Sequence, residues 1–469
     1  MNVSSKGGVF STRNIVIIVC AVLIVFLAAV AVVVAVMGNT GDMLTREQIE
    51  ARLEELGEED LGHKYVAAHL TEFGIGGFDA GKFRRIEYYF SDYYAGELPS
   101  IAKMAYDTAE LFMSYYYDRV DHSDKQAVTT AVLYCYAAAT GDRYAVYRTA
   151  EELEDFDTDM SGTFVGIGVT VYQTVDPATK KLSEVRVEDV INNSGAKDAG
   201  VLPNDLIVAV DGVRITEFDS NSLIKAIRGD EGTTVSLTVS RSGEEITLSC
   251  VRSLVVDLTV EYTNVDGVAY IEITSFKSNT PELFAAAISS ARADGVSGIV
   301  FDLRNNPGGY LDSVLEILDM LVPAGVRLAS YTEADGSETV YNSTGAGKAL
   351  ELPSVVLCNG NTASAGELFT SALRDYNAMG LIKATVVGEK TYGKGIMQST
   401  YTLYDGSSIT LTTAYYDPPS GVNYNGIGIT PDVPVSRADG ETEDSQLKKA
   451  YEVLLGIVQA PPSNNNTGL

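Results

Sequence analysis

Pro353–Tyr376 reads PSVVLCNGNTASAGELFTSALRDY. A short apolar run gives way to a turn of Asn, Gly and Thr, and the segment from Gly366 onward has helical periodicity. Strand, tight turn and helix in succession place Ser364 at the C-terminal edge of a sheet. They also place it at a helix start, where free backbone N–H groups and the positive dipole end lie. The same order repeats on both sides. SGIVFDLR (297–304) leads through NNPGG into YLDSVLEILDMLV (310–322), whose Leu311, Val314, Leu315 and Leu318 share one helical face. ATVVGE (384–389) runs on to Gly393-Lys394-Gly395. Such alternation predicts an α/β core with a largely parallel sheet over residues 256–458. Near its end, IMQSTYTLYDGSSITLTTAYY (396–416) reads as two strands around an Asp405-Gly406 turn.

Upstream the texture changes. Residues 162–253 carry short β-rich runs separated by Gly, Asn and Asp turns, with one helix near Ser220–Ile227, and predict a separately folded β module. Residues 38–160 read as helical: Thr45-Arg46-Glu47-Gln48 has capping-box spacing, and 101–120 and 125–140 are rich in Tyr, Ala and Leu at helical intervals. GIGGFDAG near residue 75 follows no strand and is not a nucleotide loop. Ile15–Met37 is twenty-three residues without a charge, enough to cross a bilayer. Lys6 and Arg13 precede it without an acid, so residues 1–14 are expected in the cytoplasm and the rest of the chain outside. The expectation is a single-pass protein of the plasma membrane, with a cleaved signal peptide as the alternative reading. The tail, 459–469, is expected to be disordered.

The net charge of −29 repels phosphate backbones and excludes nucleic acid as a partner. Cys20, Cys135, Cys250 and Cys358 are too scattered for a metal site and too few for a disulfide scaffold. They read as packing residues. No metal and no cofactor is expected.

A serine hydroxyl becomes a useful nucleophile only when a neighbouring base takes its proton; otherwise Ser364 is an ordinary N-cap. His63, His69 and His122 all fall in the helical region, so a Ser-His-Asp triad would need an interdomain arrangement. Lysine remains. Lys394, between two glycines, can run close to Ser364, whereas Lys390 stands beside Glu389, which would keep it charged. An ordinary lysine is neutral in roughly one molecule in a few thousand at pH 7, so burial has to lower its pKa. Gln398, four residues on, is expected to point to the same face and hold the amine by a neutral hydrogen bond. Gly308 and Gly309, after a buried strand, let backbone N–H groups approach a substrate and, with the Ala365 N–H, form an oxyanion hole. The Ser222–Lys225 pair has the Ser-x-x-Lys spacing of penicillin-recognising enzymes but none of its partner motifs.

Two resemblances follow from these motifs. VINNSGAKDAGVLPNDLIVAVDGVRI (190–215) resembles a PDZ domain, with Asn204 where glycine is usual. The resemblance implies that Gly166, Ile167 and Gly168 form a loop that binds a peptide C-terminus, the peptide adding a strand to the sheet edge. The whole order of anchor, helical segment, PDZ module and α/β core resembles the carboxyl-terminal processing proteases, the S41 serine peptidases with a Ser-Lys dyad on a crotonase/ClpP-like core. That resemblance implies Ser364 as nucleophile, Lys394 as general base, Gln398 as the residue orienting it, and Gly309 and Ala365 as oxyanion donors. Asp375 matches an acid that reads as structural. Protein or peptide substrates with exposed C-termini are implied as partners, with room for a homo-oligomer or an activating partner. Three departures stand out: Gly366 replaces a common second serine, the Ser364–Lys394 spacing is long, and GDRYAVY (141–147) replaces the usual Asp-Pro-Tyr-Ser/Thr. The competing reading is a membrane-tethered PDZ scaffold without catalysis.

Overall fold

The structure is a computed structural model that describes residues 61–75, 77–176, 181–192, 194–345, 350–437 and 440–459. The expected membrane span at 15–37, the cytoplasmic segment before it and residues 460–469 of the tail lie outside the described residues. None of the described helices is long and apolar enough to cross a membrane. The described chain forms two compact units: one is Thr158–Leu258, the other joins the residues up to Asp157 with those from Thr259.

The second unit begins with α1 (Leu61–Glu72), α2 (Ala80–Tyr93), α3 (Ile101–Tyr115) and α4 (Lys125–Ala139). Asp79, Ser100 and Asp124 cap α2, α3 and α4 by accepting backbone N–H groups of the first turn. The run Ala131–Leu133 and Cys135–Ala137 is buried on every side of α4, making it the central helix. After it the chain turns extended: β1 (Val146–Arg148) precedes α5 (Ala150–Ser161). This strand, within a stretch expected to be helical, pairs antiparallel with a strand late in the chain, Ser408–Asp417, and its Tyr147 packs with Leu403, Ile409 and Leu411 in the helices' own apolar core. The helical segment and the later hairpin are thus one cooperative body.

The smaller unit contains β2 (Thr163–Gly166), β3 (Val169–Val175), β4 (Leu182–Val190), α6 (Gly195–Ala199), β5 (Leu206–Val210), β6 (Val213–Arg214), α7 (Ser220–Ile227), β7 (Thr234–Arg241), β8 (Glu244–Val251) and β9 (Ser253–Val256). The main sheet runs β3-β4-β5-β7-β8, with β6 on β5 and β2 paired apart with β9. Inward residues such as Val185, Val187, Val235, Leu237 and Val239 alternate along their strands and close the core against Leu223 of α7. Asn204 adopts φ +73°, the left-handed conformation that favours glycine and that asparagine tolerates best among side-chain-bearing residues.

The α/β part contains β10 (Val260–Val265), β11 (Val268–Ile273), α8 (Thr280–Ala293), β12 (Ile299–Asp302), α9 (Leu311–Asp319), β13 (Arg327–Glu333), β14 (Glu338–Asn342), β15 (Ser354–Cys358), α10 (Ala365–Ala378), β16 (Ala384–Gly388), β17 (Ile396–Thr402), β18 (Ser408–Asp417), β19 (Val433–Pro434) and α11 (Ser445–Gln459). One sheet runs β10-β11-β12-β15-β16-β19, parallel from β11 onward. It is covered on both faces. Ile299, Phe301, Val356 and Cys358 meet α8, α9 and α10, while Val300, Val355 and Leu357 meet Ala450 and Leu454 of α11. A second, antiparallel sheet runs β1-β18-β13-β14, with β17 also on β18. Cys135, Cys250 and Cys358 are buried and free.

Candidate active site

β15 is buried along its whole length and ends at a turn whose polar groups are nearly all engaged. The Thr362 hydroxyl donates to the Leu303 carbonyl at 2.7 Å and accepts the Asn359 N–H at 3.0 Å. Asn359 accepts the N–H of Asn305, and the Ala363 N–H donates to the Asn306 carbonyl at 2.9 Å. The turn after β15 is thereby sewn to the turn after β12. At its apex Ser364 sits at φ +53°, ψ −120°, a conformation that costs of order 1–3 kcal/mol and persists only where the surroundings enforce it. It is followed at once by α10, so Ser364 occupies the N-cap position. The Glu367 and Leu368 N–H groups go to the Ser364 carbonyl, and the Ser364 hydroxyl is hydrogen-bonded to the Tyr416 phenol, whose pKa burial raises and this bond pulls back.

Glu367 links the two halves of the site. It is fully buried, and its Oε2 accepts the N–H of Ser364 at 3.0 Å and that of Lys394 at 2.7 Å. Its Oε1 accepts from the Gly393 N–H at 2.7 Å and the Thr391 hydroxyl at 2.5 Å. Burial raises its pKa and these donors pull it back. Backbone N–H groups can only donate, so the arrangement calls for the carboxylate. The Ser-x-x-Glu spacing of a capping box was present in the sequence as the signal for this residue.

The Pro307-Gly308-Gly309 turn lies against Ser364. A Cβ on Gly308, at φ +102°, would stand 2.7 Å from Ser364 Cβ and 2.9 Å from Ala365 N. A Cβ on Gly309, at φ +146°, would collide with the Phe276 carbonyl oxygen at 2.1 Å. Hydrogen bonds from Phe276 N–H to Gly308 O and from Tyr310 N–H to Phe276 O flank Gly309. Among the described residues neither the Gly309 nor the Ala365 N–H has a protein acceptor.

Lys394 follows Gly393 at φ +93°, where a Cβ would come within 2.9 Å of Gly428 N, and precedes Gly395, where it would meet Asn423 at 2.8 Å. Its carbonyl accepts the Tyr416 hydroxyl at 2.7 Å, and the Tyr424 hydroxyl donates to the Ser364 carbonyl at 3.4 Å. The side chain is half-buried; Lys390 is exposed. Burial lowers the Lys394 pKa to about 8, with Asp142 pushing it back up, Arg143 pushing it further down and Glu367 raising it. The ammonium nitrogen lies 4.1 Å from the centroid of the Tyr144 ring, and among the described residues it has no hydrogen-bond or ion-pair partner.

Gln398 is placed otherwise than expected. Its amide donates to Thr412 Oγ1 at 3.2 Å, and that hydroxyl donates to Asp142 at 2.8 Å. Strand parity could not carry the argument, because Lys394 precedes β17 and a register shift falls between Met397 and Gln398. Asp375 accepts the Ser420 N–H at 3.0 Å, a brace between α10 and the loop after β18. Tyr144, Tyr416 and Tyr424 carried no signal in the sequence. The histidines are engaged within the helical segment, His63 with Glu87 and His122 with the Tyr117 carbonyl.

In the smaller unit, Gly166 ends β2 and Ile167 is buried. The Ile167 and Gly168 carbonyls accept the N–H groups of Ala196 and Ile191 at 2.8 and 3.0 Å. Among the described residues their own N–H groups have no acceptor. Gly168 has φ +75°, and a Cβ there would stand 2.4 Å from Ser194 Cβ. The loop opens directly into β3, the edge strand at the opposite side of the sheet from β8.

This combination of a small β unit and an α/β core with a strained serine and a partnerless lysine defines a class, and comparison with known proteins gives the family. The model of peptidase family S41 matches residues 267–435 and that of the PDZ domain residues 164–250. A "Probable CtpA-like serine protease" of Staphylococcus saprophyticus is 33% identical over 340 residues, 70% of this chain and 67% of the relative. Its counterpart in Staphylococcus haemolyticus is 35% identical over 296 residues, and the chain spans only 57% of that relative's length. The fold is shared with a crystal structure of a candidate S41 protease from Bacteroides fragilis at 18% identity and TM-score 0.50, covering 80% of this chain and 97% of that one. The chain belongs to peptidase family S41 and carries a PDZ domain.

Proposed function

We propose that the protein is a membrane-anchored serine endopeptidase that captures substrate C-termini on its PDZ domain and cleaves peptide bonds with a Ser364–Lys394 dyad. The observation that carries this reading is the lysine loop itself. Lys394 has a pKa near 8, has no acid partner at its head, and is tied through one Glu367 oxygen to the same backbone that holds Ser364. At pH 7 about one such lysine in ten is neutral, against roughly one in a few thousand at the ordinary value.

Neutral Lys394 takes the Ser364 hydroxyl proton, and Oγ attacks the scissile carbonyl carbon. The developing oxyanion faces the N–H groups of Gly309 and Ala365, which among the described residues have no competing protein acceptor. Collapse expels the amine, which takes the proton back from Lys394. A water deprotonated by the same lysine then hydrolyses the acyl-enzyme. Upstream, the substrate carboxylate docks on the N–H groups of Gly166–Gly168 and the peptide extends along the open edge of β3. Residues 15–37 hold the chain in the membrane with the catalytic core outside the cytoplasm.

A fluorophosphonate probe tests the dyad. Labelling of wild type that disappears in Ser364→Ala and falls steeply in Lys394→Met is expected. Absence of labelling at any pH, with wild type folded, would leave only the scaffold reading. Resistance to alkaline carbonate extraction, lost on deleting residues 1–37, tests the anchor.

A further inference from the structure

We propose that Tyr144 is a positioning residue for Lys394: its ring, supplied by the helical segment, is the seat on which the ammonium rests and from which the amine is released toward Ser364. This rests on Lys394 being the general base. The geometry starts from the loop between α4 and β1. Asp142 Oδ1 accepts the Tyr144 N–H at 2.8 Å, closing a tight turn, and Asp142 Oδ2 accepts the Thr412 hydroxyl of β18 at 2.8 Å. Two residues after Tyr144, β1 begins its ladder with β18, Val146 opposite Thr410. The ring is therefore fixed from both sides to the sheet that carries the lysine loop, and Gln398, bonded to Thr412, braces that turn from beneath.

A cation over a ring face is attracted by the ring quadrupole, most strongly where water is excluded. The charge 4.1 Å from the centroid is the lysine nitrogen, and the Arg143 guanidinium lies 4.9 Å from the same centroid and 5.1 Å from that of Tyr392. The charged groups acting on Lys394 are Asp142 and Arg143 from this loop and Glu367 from α10, with the phenols of Tyr392, Tyr416 and Tyr424 completing the surroundings. None of the acids reaches the lysine head, so among the described residues the ring is the group at close range that favours the ammonium, beside the longer-range pull of Asp142 and Glu367. A ring in this place opposes burial and sets how much free amine is present at a given pH.

The test reads the pH dependence of fluorophosphonate labelling of Ser364 in the full chain, which needs no natural substrate. Labelling rises with pH as Lys394 loses its proton. Tyr144→Leu keeps the site apolar and removes the ring's attraction, so the midpoint should move down by about half to one pH unit. Tyr144→Phe keeps the ring and loses only the hydroxyl's bonds to Arg143 and Tyr392, so the midpoint should move by less than in Tyr144→Leu. Tyr144→Trp, the strongest cation-binding ring, should move it up, and serves as the decisive variant should Tyr144→Leu fail to fold. Midpoints that do not move in Leu or Trp variants, while Lys394→Met still abolishes labelling, would overturn the role of Tyr144 and leave the dyad standing. Full labelling of Lys394→Met would overturn the reading beneath it.

Discussion

Lys82 on α2, buried, and Lys394 ahead of β17, half-buried, belong to the same unit and both bear a cost of lost hydration, yet they are driven in opposite directions. Burial pulls Lys82 down, but its bonds to Asp405 at 2.7 Å and to the Tyr147 hydroxyl at 2.5 Å more than offset that, and its pKa ends raised. Lys394 feels burial with no such partner and falls to about 8. Both lie over tyrosines of one short stretch, Lys82 5.0 Å from the Tyr147 ring and Lys394 4.1 Å from that of Tyr144. Burial alone does not set the direction of the shift. A carboxylate bonded to the amine does.

The sharpest way to break the comparison is to remove each amine. Lys394→Met should lower Ser364 labelling by about 10²–10⁴-fold, the usual worth of a general base. The same change should stabilise the fold near neutral pH. A lysine whose folded pKa is lowered is charged in both states below about 8, so the native state carries the full cost of burying the ammonium there. Between about 8 and 10.5 the folded form is neutral while the unfolded chain still holds its proton, so stability rises with pH, and above 10.5 the cost is gone. Denaturant unfolding should show a gain of about 1–3 kcal/mol for Lys394→Met at pH 7 that vanishes toward pH 10.5. A variant that loses activity and stability together would mean Lys394 is structural.

Glu367→Gln comes next. The amide replaces one acceptor oxygen with a donor, facing it against N–H groups it cannot bond. An expected stability loss of about 2–4 kcal/mol should accompany labelling some ten- to a hundredfold slower, since the Ser364 and Lys394 backbones lose their shared anchor. Thermal unfolding and the labelling rate check both. Unchanged labelling in a folded variant would show that the dyad is held by its glycines alone.

These two residues also mark what could be read from the chain beforehand. The turn positions of Ser364, the glycine pair and Lys394 were legible because each is defined by its immediate neighbours: strand before, glycines beside, helix after. Glu367 was available at capping-box spacing. Gln398 was legible as a residue of β17 but its partner Thr412 was not, because a bulge breaks the alternation on which side-chain facing depends. Tyr144 was out of reach. Nothing local distinguishes it from the many tyrosines of the helical segment, and only the pairing of β1 with β18 brings it to the lysine. The same pairing explains why the helical segment shares a core with the late hairpin instead of standing apart.

Lys82→Met sharpens the other side of the comparison, with a smaller effect. Its raised pKa means its contribution is fully present below the unfolded value near 10.4 and is lost as pH climbs through the folded value. Removing it should cost about 1–2 kcal/mol at pH 7, because Asp405 is partly exposed and recovers water, and the cost should shrink only in strong alkali. Labelling of Ser364 should keep its pH midpoint. Chemical denaturation at pH 7 and above 10.4 separates this from Lys394→Met, whose effect has the opposite sign and a lower window.

The smallest expected effect is electrostatic. Arg143 is exposed, faces the Tyr144 ring and pushes the Lys394 pKa down. Arg143→Gln removes a like charge without touching a hydrogen bond at the lysine head, so the midpoint of Ser364 labelling should move up by about a few tenths of a pH unit at low salt. Solvent screens an exposed charge, so the difference between wild type and variant should fade as ionic strength approaches about 1 M, where the Debye length is about 3 Å. The shift expected of Tyr144→Leu has the opposite sign and should persist, because a ring in van der Waals reach of the amine acts through a gap that no counter-ion enters. Measuring both midpoints across a salt series therefore separates the charge on this loop from the ring beside it.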